Sequence, residues 1–142
     1  MLYIEYYKQL KRYTDKLKEL TNLLDKKEEL FLKTQPGGID YNKDHVQGHE
    51  ERMSAMEAYV IKMEMEEIDK NINELKPIIT DRYFVLKQIE KDLINSKEID
   101  DRIYVLYTFN KYSYRKISKI VHYSKSAVGN IMDKISENLS KI

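Results

Sequence analysis

Apolar residues return along this chain at alternating spacings of three and four, the signature of helices that each bury one stripe. Tyr3, Tyr6, Leu10, Tyr13, Leu17, Leu20 and Leu24 form such a line, and Phe31 rejoins it after Lys27 interrupts. Lys and Glu fill most positions between, and no Gly or Pro precedes Pro36, so one long helix from about Leu2 to Lys33 is expected. A second line reads Ile61, Met65, Ile68, Ile72, Leu75, Ile79, Leu86, Ile89 and Leu93, with Arg82 at its one polar position. This helix should begin near Glu50. Pro77 lies inside it and removes a backbone donor, so a kink or break is expected near Lys76. Because the line keeps its phase across Pro77, a kinked continuous arm fits better than two unrelated helices.

Between these lines, TQPGGIDYNKDHVQGHEER holds three of the four glycines and one of the two prolines. Gly costs a helix backbone entropy, while Pro lacks the N–H and clashes with the preceding turn. Residues 34–48 therefore read as a loop joining two helices, long for such a connection. The polar break INSKEIDD places a helix cap near Ser96. Ile103, Leu106, Tyr107 and Phe109 then give a short amphipathic helix ending near Asn110.

The next stretch, YSYRKISKIVHYSKSAVGNIM, has the order of a helix-turn-helix, two short helices packed steeply through a tight turn. Ser113 can cap the first helix, with Ile117, Ile120 and Val121 facing inward and Ser118 small where the helices approach. His122, Tyr123 and Ser124 make the turn, with Tyr123 filling the core and Ser124 capping the second helix. His122 stands where a left-handed residue is wanted, a conformation His tolerates better than most. Val128, Ile131, Met132 and Ile135 form the buried stripe of the second helix, extended by Leu139.

The opposite face carries Lys125, Ser126, Ala127, Gly129, Asn130 and Asp133. Lys reaches guanine acceptors or phosphate, Asn pairs with adenine, and Ala meets a thymine methyl. Gly129 costs about 1 kcal/mol inside a helix, so a reason such as close approach to the groove is expected. Tyr114, Arg115 and Lys116 begin the first helix, where they can clamp phosphates.

Charge distribution supports this reading more than net charge does. The net charge is +1, without an overall nucleic-acid signature. Yet Asn110 to Met132 holds five basic residues and no acidic one, whereas Glu50 to Lys70 holds seven acidic against three basic. Hydrophobic residues make up 42% and charged residues 35% of 142 positions, so the chain reads as folded and without a membrane span. Its opening MLYIEYYKQLKRY lacks the order of a secretory leader, and there is no cysteine. A cytoplasmic setting is expected.

Chemistry finds little foothold. His45 and His49 stand four apart beside Asp44 and Glu50, but Gly48 intervenes and a third ligand is missing, so they read as loop residues. PGG lacks the Lys-Ser/Thr of a phosphate loop. Met53, Met56, Met63 and Met65 read as core or seam. No nucleophile–base set stands out, and no enzyme activity, cofactor or metal is expected.

DRIYVLYTFNKYSYRKISKIVHYSKSAVGNIMDKISENL resembles region 4 of sigma factors. The whole chain resembles the sigma-like ArpU/RinA-type transcriptional regulators of phages and mobile elements, with KDHVQGHEERMSAMEAYVIKMEMEEID matching their middle section through Val46, Gln47 and Gly48. The resemblance implies sequence-specific binding of double-stranded DNA in a bacterial host cell, control of late or packaging genes, and possible work alongside RNA polymerase.

The expectation is an all-α protein: a helical arm over residues 1–95 and a DNA-binding head over residues 96–142. Leu10, Tyr13, Leu17, Leu20, Leu24, Ile68, Ile72 and Leu75 would form a seam, closed either within one chain or between chains. A homo-oligomer is expected, because one small head contacts few base pairs. The alternative is a coiled-coil interaction module that binds RNA polymerase or another regulator instead of DNA.

Overall fold

A computed structural model describes residues 1–34 and 54–142. All regular structure among them is helical: α1 (Leu2–Lys33), α2 (Ala55–Ile94), α3 (Ile99–Thr108), α4 (Tyr114–Val121) and α5 (Lys125–Ser140). No helix among the described residues is long and apolar enough to cross a membrane. The expected loop over residues 34–48 falls, beyond Thr34, outside the described residues, as do His45, His49 and Met53.

α2 is capped by Ser54, whose Oγ accepts the Glu57 N–H at 3.1 Å, while the start expected near Glu50 lies outside the described residues. α2 continues through Pro77 as one helix, the continuous arm expected from the unbroken phase of its apolar line. Pro77 supplies no N–H to the Asn73 carbonyl, but both residues are exposed, so water can reach that oxygen. Thr80 adds a bond from its Oγ1 to the Lys76 carbonyl at 3.1 Å.

The chain forms two compact units, residues 1–14 with 81–142, and residues 15–80. This grouping differs from the expected boundary at 95/96, because Tyr3, Tyr6, Leu86 and Leu93 share one core with Ile103, Tyr104, Ile117, Val121, Val128, Met132 and Ile135. The ends of both long helices thus supply much of the hydrophobic surface that three short helices need, since small domains bury little on their own. Tyr3 stacks on Tyr104 at 5.6 Å, and Tyr6 meets Phe109 edge-on at 5.4 Å. Burial pushes the Tyr104 phenol up to about 12 and raises that of Tyr6 as well.

The second unit is a pair of helix segments closed by Leu30, Ile68 and Ile72, with Leu20, Leu23, Ile61 and Met65 packed around them. Every α2 position expected on the apolar line is buried or half-buried. In α1 the line departs from expectation: Leu24 is 47% and Phe31 50% exposed, while Leu23 and Leu30 pack inward. The step from Leu20 to Leu23 is three where the heptad line takes four, which rotates the packed stripe. Lys27 sits between Leu23 and Leu30, and its ammonium pairs with Asp69.

Of the expected seam residues, Leu10 and Tyr13 pack on the first core, Leu20, Ile68 and Ile72 belong to the second, and Leu75 is buried. Leu17 is half-buried and Leu24 exposed. Apart from Leu24, these seam positions are buried or half-buried within the chain. Met56 and Met63, expected in core or seam, are 71% and 50% exposed, because they lie across α2 from Ile61, Met65 and Ile68.

Candidate nucleic-acid interface

The α4–α5 region is built by local hydrogen bonds at each end of each helix. The chain leaves α3 through Lys111, held left-handed at φ 57°, and the Tyr112 N–H bonds the Leu106 carbonyl at 3.1 Å. Ser113 then turns extended and caps α4, its Oγ accepting the Lys116 N–H at 3.3 Å. His122 ends α4 at φ 62° and ψ 33°, the left-handed conformation the spacing demanded. Ser124 caps α5 by accepting the Ala127 N–H at 3.1 Å.

At the other end of the unit, the break expected around Ser96 is present, and its helix cap falls two residues on, at Glu98. Ser96 itself lies before α3, and its hydroxyl donates to Asp101 Oδ2 at 2.8 Å. Local polarity revealed a break, but the partner of Ser96 is a buried side chain that local pattern does not disclose.

Packing fixes which faces remain outside. Ile117, Val121, Val128, Met132 and Ile135 are buried in one cluster, with Ile131 and Leu139 packed against it. Two residues expected inside are outside: Ile120 is 38% and Tyr123 43% exposed. Ile117 and Val121 are a full turn apart and fill the inward stripe, which leaves Ile120 at its edge. Ser118, expected only to be small, donates its hydroxyl to the Tyr123 carbonyl and fastens the turn from within. Tyr107, expected on the packed face of α3, is 44% exposed.

Lys125, Ser126, Asn130 and Asp133 are exposed along α5, and Arg115 and Lys116 are exposed at the start of α4. Ala127 and Gly129 are half-buried. The Lys116 ammonium sits 3.9 Å from the Tyr112 ring centre, close enough for a cation–π contact that steadies the side chain without neutralising it.

Tyr114 lies differently from a free phosphate clamp. Its ring meets Tyr107 at 5.6 Å, and a Cβ built on Gly129 would stand 3.9 Å from its Cδ2 and Cε2. Burial, then Tyr107 and Asp133, raise the Tyr114 phenol above its ordinary value. Gly129 therefore has a neighbour inside the protein. The aromatic flank Tyr107–Tyr114 beside α5 went unread in the sequence, where Tyr107 was grouped with the packed face of α3.

Among the described residues, no group of His, Cys, Asp or Glu is placed to hold a metal ion. A groove of about 470 Å³ lies elsewhere, in the second unit, lined by Lys16, Leu23, Lys26, Leu75 and Ile78. Compared with known proteins, the chain matches no family model, no curated protein and no solved structure.

Proposed function

We propose that α4 and α5 form a helix-turn-helix that binds double-stranded DNA, and that the protein is a transcriptional regulator reading sequence through α5. The observation that carries this reading is the outward face of α5. Lys125, Ser126 and Asn130 stand exposed on a capped helix whose opposite face is closed by Val128, Met132 and Ile135. Such a helix fits the major groove, with Lys and Asn as its base-reading side chains. Arg115 and Lys116 supply cations for phosphate at the start of α4, and Asp133 marks the end of the face where a phosphate would be repelled.

The resemblance to ArpU/RinA-type regulators extends this reading to control of phage or mobile-element late genes in the bacterial cytoplasm. Two heads on half-sites about 34 Å apart would give an oligomer the specificity one head lacks.

The exposed Ile120 and Tyr123 beside Lys119 favour a second reading, in which the head docks on RNA polymerase or another regulator. Selection of duplexes from a random library with purified protein alone separates the two. DNA reading predicts an enriched motif, and Asn130→Ala or Lys125→Ala then relaxes preference at particular positions by about 1–3 kcal/mol. Arg115→Ala should weaken all sequences alike and lower the log–log salt slope by about one. Salt-sensitive binding with no enriched motif would favour the protein-docking reading instead.

A further inference from the structure

We propose that the first turns of α1 act as a clamp that sets the orientation of α5, with Tyr3, Asn138 and Asp101 as its positioning residues. This inference rests on the DNA-reading function above and adds to it a group of residues remote from the reading face.

Tyr3 is fully buried and bonded at both ends. Its backbone N–H donates to Asp101 Oδ1 at 3.0 Å, and its phenol oxygen accepts from Asn138 Nδ2 at 2.9 Å. Asp101 is also fully buried and accepts the Ser96 hydroxyl at its other oxygen, so both its oxygens are engaged. One side chain thus ties the start of α1, the α2–α3 turn and α3 together, and Tyr3 carries that tie to α5. Lys11 donates from its Nζ to the Ile142 carbonyl at 3.2 Å, a second bond from α1 to the chain beyond α5.

These bonds hold the C-terminal half of α5, whereas the proposed base contacts lie in its N-terminal half. A rigid helix transmits orientation along its length, so fixing Asn138 fixes the direction in which Lys125 and Asn130 point. Asp101 is well suited to the anchor. A buried carboxylate with every bond made holds its partners in one geometry, since an alternative arrangement leaves a buried charge or amide unpaired. The Tyr3 ring stack on Tyr104 keeps the phenol aimed while the hydrogen bond sets its distance.

The test compares wild type, Tyr3→Phe and Asn138→Ala for affinity on the selected duplex and on unrelated duplexes. Tyr3→Phe removes one oxygen and keeps the aromatic stack. The expected result is a loss of about two- to tenfold on the preferred duplex, the scale of one hydrogen bond, with little change on unrelated DNA. The ratio between them is the decisive readout, because partial unfolding lowers the active fraction on every duplex equally. Combining the two substitutions should cost little more than either alone, since both break the same bond.

An unchanged ratio in both variants, with wild-type preference intact, overturns the clamp and leaves the DNA-reading function standing. A wild-type protein with no preferred duplex overturns the DNA-reading function, and the clamp falls with it.

Discussion

Gly129→Ala separates two explanations for a glycine inside α5. If Gly129 exists to let DNA approach the helix backbone, alanine should weaken binding. The structure gives it another neighbour, the Tyr114 ring. A methyl at that position would rest 3.9 Å from Cδ2 and Cε2, ordinary contact that needs no repacking. Gly129 lies within α5 and is not among the positive-φ positions, so alanine suits its backbone. Removing a helix-interior glycine gains about 0.5–1 kcal/mol by reducing the freedom of the unfolded chain. The added contact with Tyr114 contributes in the same direction.

For a chain of this size, that gain raises the midpoint of thermal unfolding by about 2–3 °C. Denaturant titration should show the midpoint moving up with its slope unchanged. Binding to the selected duplex should stay within about twofold, because the space over Gly129 is already partly filled by Tyr114. A destabilised variant would refute the packing argument. A variant that is more stable yet binds at least tenfold more weakly would show that DNA approaches the helix backbone at Gly129 and refute the expected tolerance.

Asp101→Ala leaves the Tyr3 N–H and the Ser96 hydroxyl without their acceptor in a buried place, and a loss of about 2–4 kcal/mol is expected by denaturant titration. Ser124→Ala removes the α5 cap and should cost about 1 kcal/mol, with no change in the Asn130-dependent preference beyond the fraction unfolded. Tyr104 predicts an alkaline limit. Its folded value of about 12 lies above the unfolded 10.0, so the unfolded chain gives up its proton first. Stability from this group is therefore intact below pH 10 and falls as pH rises from 10 toward 12, by up to about 3 kcal/mol. Tyr104→Phe should flatten that fall in a series of denaturant titrations, and an unchanged fall would remove Tyr104 as its source.

What could be read in the sequence was what neighbours along the chain decide. The Ser113 and Ser124 caps act over three residues, and the left-handed His122 follows from the end of one helix meeting the start of the next. The apolar line of α2 held along its length because a helix repeats its faces at fixed spacing. What the tertiary structure alone decided was which partner each face met. Ile120 and Tyr123 are apolar and locally plausible as core, yet Ile117 and Val121 had already filled the space against α5. Leu24 and Phe31 obeyed the heptad line, but the packed stripe shifted to Leu23 and Leu30. Asp101 and Asn138 find Tyr3 across 98 and 135 positions of sequence. No local period encodes such a meeting, because it exists only after the hydrophobic faces have closed and buried polar groups must find partners among whatever lies beside them.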